Sequence, residues 1–211
     1  MSEAHFESAE RQADAARLGM WAFLVSEVFL FAGLFTLYGA YRAAWPEAFA
    51  EGVRHGAKML GSLNTVILIT SSFAVASSLR ALQEDRPRVA LRWLLGTLAL
   101  ALGFLAVKAV EYHGHVHEGI LPGGHGHHFA TLSAPAGQAA FFTLYYVMTG
   151  LHALHVVAGA AVLGWLAWRL HTGVLDARRA HVLSNGALYW HLVDCVWIVL
   201  WPLFYLTGGQ A

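Results

Sequence analysis

The chain has 211 residues, of which 57% are hydrophobic and only 12% are charged, whereas charged residues make up about 25% of ordinary soluble domains. Thirteen basic residues balance thirteen acidic ones, so no net field recruits nucleic acid or an acidic substrate. The single cysteine, Cys195, excludes an internal disulfide framework and a cysteine-clustered metal site. A soluble protein of this size cannot bury so much apolar surface in its core and still expose a mainly polar surface to water. The composition therefore indicates an integral membrane protein.

Five apolar runs divide the chain, and about 20 residues are enough to cross a 30 Å hydrocarbon layer as a helix. The predicted transmembrane helices span about residues 18–42, 59–80, 92–112, 135–169 and 186–207. The first 17 residues are polar with mixed charge, which is not typical of a secretory signal. We expect an all-α integral membrane protein, with a polar cytoplasmic segment over residues 1–17 and one five-helix domain over residues 18–211.

Lysine and arginine are shared unequally by the loops. Nine of them lie on the side of the N-terminus and three on the opposite side. Because short cytoplasmic loops carry the excess of Lys and Arg, the sequence predicts a cytoplasmic N-terminus and an external C-terminus.

Titratable side chains within the apolar runs are candidate functional residues, because charge is expensive in hydrocarbon. Glu27 lies in the first run, His152 and His155 lie three residues apart in the fourth, and His191 and Asp194 lie three apart in the fifth. A spacing of three places both members of each pair on one face of a helix. Three interpretations stay open: polar packing between helices, proton handling, and a metal or haem site.

Glu27 supports two further interpretations. Hydrocarbon disfavours a charged carboxylate unless a basic side chain approaches it. Glu27 is then either a protonated hydrogen-bond donor to a neighbouring helix or a proton-exchanging, partner-facing carboxyl. Lys108 and Glu111, at the outer end of the third run, are expected to pair or to extend toward the interface.

Six of the thirteen histidines lie between the third and fourth runs, namely His113, His115, His117, His125, His127 and His128. The alternation of the first three could present imidazoles to a divalent cation if the segment is a strand or a loop. The plainer interpretation is a glycine-rich, solvated external loop. His113, His115 and His117 are kept as secondary candidate metal ligands.

Five motifs in chain order resemble subunit III of the haem–copper oxidases in its short bacterial form. They are FLVSEVFLF at residues 23–31, LNTVILITS at 63–71, KAVEY at 108–112, FFTLYYVMTGLHALHVVAG at 141–159 and YWHLVDCVW at 189–197. The resemblance covers nearly the whole chain, and the order of the motifs makes it specific.

The resemblance implies a bundle that lacks the first two of the family's seven helices and contains a V-shaped, lipid-filled cleft. It implies a subunit without haem or copper of its own, because those groups lie in partner subunits. Such a subunit packs on catalytic subunit I and other oxidase subunits in the bacterial cytoplasmic membrane. It protects O2 reduction from inactivation during turnover and supports proton uptake from the cytoplasmic side, with phospholipid bound.

The resemblance also implies roles for single residues. The family's carbodiimide-reactive glutamate corresponds to Glu27, its histidine pair to His152 and His155, and its W-H-x-x-D motif to His191 and Asp194. A basic position associated with anionic lipid head groups corresponds to Arg169.

The sequence departs from the family at residues 183–186, which read LSNG where many members have a stretch like F-E-A-G. The histidine-rich segment also lies outside the family pattern. Since the electron donor binds to other chains, subunit III of a quinol oxidase and an accessory subunit of a nitric oxide reductase remain alternatives. A stand-alone membrane metalloprotein is an alternative of another class, and a transporter is disfavoured because no helix carries paired Gly/Pro interruptions.

Overall fold

The computed structural model of the protein describes residues 9–130, 132 and 135–207, and no strand occurs within them. The helices are α1 (Ala9–Ala44), α2 (Pro46–His55), α3 (Lys58–Gln83), α4 (Pro87–His117), α5 (His127–Ala130), α6 (Pro135–His171) and α7 (Ala180–Tyr205). Five of them, α1, α3, α4, α6 and α7, are long and apolar enough to cross a membrane. The prediction of an all-α membrane protein with five spans is confirmed.

The helices extend beyond the apolar runs that predicted them. α1 begins at Ala9, inside the predicted polar segment, whose residues 1–8 lie outside the described part of the chain. α4 ends at His117 rather than at residue 112, and α7 begins at Ala180 rather than at 186. Hydropathy marks the stretch that lies in hydrocarbon, whereas good helix formers such as the alanines at the start of α1 continue the helix into water.

One amphipathic helix between the first two spans is missing from the sequence prediction. Pro46 occupies the first turn of α2, where its missing N–H costs nothing, and Phe49 and Val53 turn inward and are buried. Gly52 lies directly against the ring of Phe141 on α6, so a side chain there would collide with the ring. α2 therefore covers the ends of the spanning helices on one side of the bundle.

The core lies among α3, α4, α6 and α7. α3 runs along α4 and α7, and α6 packs on the other side of α4 and α7. The largest fully buried side chains include Trp190 and Trp197 of α7 and Phe104 of α4. Successive spans alternate in direction, so we call the side where α1 begins the N-face and the side where α7 ends the C-face.

α1 is hydrogen-bonded to the backbone of this core near the C-face. Near the C-face, the Tyr38 hydroxyl donates to the Leu203 carbonyl at 2.8 Å, and the Arg42 guanidinium donates to the Thr207 carbonyl at 3.1 Å. Toward the N-face, a cavity of about 370 Å³ separates α1 from α6 and α7. This apolar groove is lined by Met20, Phe23, Ala158, Val162, Trp165, Leu166, Val182, Asn185, Gly186 and Tyr189.

Candidate functional site

Glu27 of α1 and His155 of α6 form a direct contact across the bundle. His155 Nε2 lies 2.8 Å from Glu27 Oε2, and each side chain is 15% exposed. His155 Nδ1 lies 2.8 Å from the Leu151 carbonyl, which can only accept, so Nδ1 carries a hydrogen. One further proton then lies either on Nε2 or on Oε2 and makes the hydrogen bond. The pair can hold that proton on either partner without breaking a contact.

The Glu27–His155 pair lies beside the apolar groove. Phe23, which lines the groove, precedes Glu27 by four residues and so shares its helix face one turn nearer the N-face. The hydroxyl of Tyr189, another lining residue, donates to the His155 carbonyl at 3.1 Å. The pair is therefore placed where the groove closes between α1 and α6.

His152 lies three residues before His155 but in a different environment. Its ring is fully buried between Phe104 of α4, at a centroid distance of 5.5 Å, and Trp197 of α7, at 5.2 Å. Within the described residues neither ring nitrogen has a hydrogen-bond partner. The two histidines thus serve different helix contacts and do not form one site.

The polar residues of α7 meet α3. His191 Nδ1 lies 2.7 Å from the Ser72 hydroxyl. Asp194 is buried, and neither of its carboxyl oxygens has a hydrogen-bond partner in the described part of the chain. The five candidate residues of the apolar runs therefore occupy separate places at the α1–α6, α4–α6–α7 and α3–α7 contacts.

Lys108 and Glu111 form a buried network that the sequence predicted only as a pair. The ammonium of Lys108 donates to Glu111 Oε2 at 2.9 Å, to the Tyr145 hydroxyl at 3.0 Å and to the Tyr205 hydroxyl at 3.2 Å. The Tyr205 hydroxyl donates in turn to Glu111 Oε1 at 2.6 Å. All three ammonium hydrogens are used, so this Lys108 cluster joins α4, α6 and α7 near the C-face. The tyrosines were missed because nothing in the sequence marks them as partners.

The three alternating histidines lie on a helix and not on a strand or loop. His115 is buried against Tyr145 and Phe142, while His113 and His117 are exposed with their Nε2 atoms 3.0 Å apart. Consecutive side chains of a helix diverge, so the three cannot bind one ion. The strand or loop that could have presented all three imidazoles to one ion does not occur at these positions. Across the described ranges, no group of three or more His, Cys, Asp or Glu side chains is arranged to hold a metal ion.

Arg169 lies at the N-face end of α6. Its guanidinium carbon is 4.7 Å from the centre of the Trp165 ring, and Trp165 lines the apolar groove. Its predicted position beside a lipid head group thus falls next to the groove.

The fold and these contacts define a multi-span membrane protein whose helices are joined by internal polar pairs. The family model described as cytochrome c oxidase subunit III matches residues 1–209, and the chain belongs to this family. The resemblance carried by the five motifs is confirmed.

Individual relatives agree with this family. A cytochrome c oxidase subunit 3 of Synechocystis is 34% identical, over 92% of this chain and 76% of the relative. A heme-copper oxidase subunit I+III of Aeropyrum pernix is also 34% identical over 92% of this chain, which spans only 23% of that longer protein. A cytochrome bo(3) ubiquinol oxidase subunit 3 of Pseudomonas putida is 27% identical over 90% of this chain and 85% of the relative.

Proposed function

We propose that this chain is the non-redox subunit III of a proton-pumping terminal oxidase in the bacterial cytoplasmic membrane. The haem and copper that reduce O2 to water lie in partner chains. The observation that carries the proposal is the Aeropyrum pernix relative, whose name joins subunits I and III in one protein. Fusion keeps two membrane domains side by side, so subunit I is the proposed principal partner, with other oxidase subunits.

Phospholipid is the second proposed partner, and the apolar groove is its proposed place. A space of about 370 Å³ between α1, α6 and α7 suits an acyl chain. Arg169 lies at the N-face end of the groove beside Trp165, where a guanidinium can bind a phosphate with two parallel hydrogen bonds. An anionic phospholipid satisfies both features.

Support of proton uptake is proposed for the Glu27–His155 pair. The hydrogen of this contact can lie on His155 Nε2 or on Glu27 Oε2, so a proton can pass between the two groups at constant geometry. The pair borders the groove, whose lining residues lie in the N-face half of the bundle, the predicted cytoplasmic side. Asp194 and His191 are proposed to contribute polar packing between helices, and His152 is proposed to contribute aromatic packing against Phe104 and Trp197.

Co-purification tests the proposed subunit role. The full chain with an affinity tag is purified from membranes in mild detergent, and the accompanying chains are identified together with a redox spectrum. We expect a haem-bearing catalytic chain, with haem a and a binuclear copper signal if cytochrome c is the donor. The Pseudomonas putida relative favours quinol as the second candidate donor, and a complex without the binuclear copper signal would indicate it. Recovery of the chain with no haem protein contradicts the proposal.

The role of Glu27 is tested within the purified complex. We expect Glu27→Ala to lower bound phospholipid and shorten the time for which the enzyme turns over before inactivation. The control is Glu47→Ala, which removes an exposed carboxyl on α2. If yield, lipid content and turnover lifetime of the Glu27 variant all equal those of the wild type, the role of Glu27 is wrong, although the subunit assignment stands.

A further inference from the structure

Two exposed histidines that the proposed function does not use face each other at the C-face end of α4. His113 and His117 are four residues apart, so their side chains lie on the same helix face in consecutive turns. Their Nε2 atoms are 3.0 Å apart, and their ring planes cross at 83° with centroids 4.3 Å apart. One Nε2 therefore donates a hydrogen bond to the other, so the two nitrogens face each other at the surface of the bundle, and a bound ion would take the place of that hydrogen.

We propose that His113 and His117 bind a divalent late transition-metal ion, with copper(II) preferred, as a two-histidine chelate on α4. Imidazole nitrogen is a common ligand for such ions. The remaining coordination positions are open to water, because both side chains are exposed. The site does not depend on the proposed oxidase role.

The separation of the nitrogens is compatible with a chelated copper(II) or nickel(II) ion. With metal–nitrogen bonds of about 2.0–2.1 Å, nitrogens 3.0 Å apart subtend an angle of about 91–97° at the metal. That angle suits the square-planar or tetragonal geometry of copper(II) and nickel(II). A tetrahedral zinc site would need the nitrogens about 3.3–3.4 Å apart. Copper(II) also forms the strongest complexes of the series.

The surroundings favour a cation. His117 is the last residue of α4, where the helix dipole presents its negative end. The next residue, Glu118, is exposed and adds a carboxylate to the same turn of chain. His115 does not compete, because it faces the bundle interior and is buried.

Copper binding to the full chain in lipid nanodiscs tests the site. Copper(II) chloride is titrated in a buffer that does not chelate metals, and electron paramagnetic resonance counts the nitrogens bound in the equatorial plane. We expect one ion with two imidazole nitrogens. His113→Ala and His117→Ala should each weaken binding at least tenfold, because removal even of groups that only support metal ligands costs about 10–100-fold.

The matched control is His125→Ala, which removes an exposed histidine from the loop after α4. It should bind copper as the wild type does. Unchanged affinity and an unchanged resonance spectrum in the His113 and His117 variants would overturn the proposal.

Chemical modification of the unaltered chain locates the ion without a substitution. Diethyl pyrocarbonate modifies accessible imidazoles, and mass spectrometry measures the extent at each position. We expect copper(II) to protect His113 and His117 but not His125. Equal protection of His125 would place the ion in the loop and overturn the two-histidine site.

Discussion

The Glu27–His155 and Lys108–Glu111 contacts are nearly equal in length but differ in burial and in the polar groups around them. The Glu27–His155 contact of 2.8 Å has few further polar partners and borders the groove. The Lys108–Glu111 contact of 2.9 Å is closed off, with side-chain exposures of 4% and 1% and two tyrosine hydroxyls around it. The first lies beside a groove, whereas the second is enclosed and joins α4 to α6 and α7 through the two tyrosines.

Removal of the Lys108 ammonium tests the enclosed contact. Lys108→Met leaves the Glu111 carboxylate buried without its cation, which costs about 3–5 kcal/mol of the free energy of unfolding. Because the double variant Lys108→Met/Glu111→Leu leaves no uncompensated charge, it should lose less than the single variant. Unfolding in mixed detergent micelles measures both.

The control for Lys108 is a pair of the same length at the surface. Arg80 Nε lies 2.9 Å from Glu84 Oε1, with 81% of the arginine side chain exposed. Arg80→Met should cost no more than about 1 kcal/mol, as exposed ion pairs do. Equal losses of unfolding free energy in the Lys108 and Arg80 variants would show that burial does not determine how much the Lys108 cluster stabilises the fold.

His152 allows a second test at the scale of the residue. Its ring is held by Phe104 and Trp197, with no polar partner among the described residues. His152→Phe should therefore preserve or increase the free energy of unfolding, because it replaces a buried polar ring by an apolar one. His152→Ala should cost about 3–5 kcal/mol, as other buried aromatic truncations do. If both variants lose the same amount, His152 has a polar role that packing does not supply.

At the scale of the helix, the close approach between α6 and α7 depends on Gly159, which has no side chain. A Cβ at Gly159 would lie 2.9 Å from the Trp190 ring and 3.1 Å from the Tyr189 ring. Small residues let membrane helices approach closely where the hydrophobic effect cannot drive them together. Gly159 therefore sets the distance between the two helices that also line the groove.

Gly159→Ala should destabilise the bundle by about 1–3 kcal/mol, because Trp190 must move. The control is Gly164→Ala, on the same helix, where a Cβ meets nothing within 4 Å. That variant should gain up to about 1 kcal/mol from helix propensity. Unfolding in mixed micelles compares them, and a Gly159 variant as stable as the Gly164 variant would contradict the close contact.

The sequence predicted which segments cross the membrane but not where their helices end. Length and hydropathy are enough for the spans, since every crossing needs a long apolar run. α2 was not predicted, because its apolar face is short and its mean hydropathy is low. The Glu27–His155 contact was not predicted, because contacts between side chains on different helices depend on how the helices pack. The contact between His113 and His117 was not predicted, because the apolar run ends before α4 does and both residues were expected in a loop.

At the scale of the whole molecule, basic residues gather at the N-face. Arg80, Arg86, Arg88 and Arg92 surround the turn between α3 and α4, and Arg169, Arg178 and Arg179 surround the turn between α6 and α7. Arg80 and Arg86 both bind Glu84. This crowding at one face is the structural counterpart of the loop asymmetry that predicts a cytoplasmic N-terminus.

Labelling of single cysteines tests the orientation. In a Cys195→Ser background, Glu47→Cys is placed on α2 at the C-face and Arg178→Cys is placed at the N-face, both at exposed positions. A membrane-impermeant maleimide added to spheroplasts should label Glu47→Cys only. Permeabilised membranes, in which both label, provide the control. Labelling of Arg178→Cys in intact spheroplasts would reverse the orientation.

The distance along the chain between Glu27 and His155 has a consequence for biosynthesis. They are 128 residues apart, and ribosomes add about 5–20 residues per second, so roughly 6–26 s pass between the synthesis of the two. Lys108 and Glu111, three residues apart, meet as soon as one turn of α4 exists. After α1 has inserted, the Glu27 carboxyl therefore lies in the membrane without His155 until α6 has been synthesised. Slow translation downstream of α1 prolongs the interval in which membrane proteases can remove the unfinished chain.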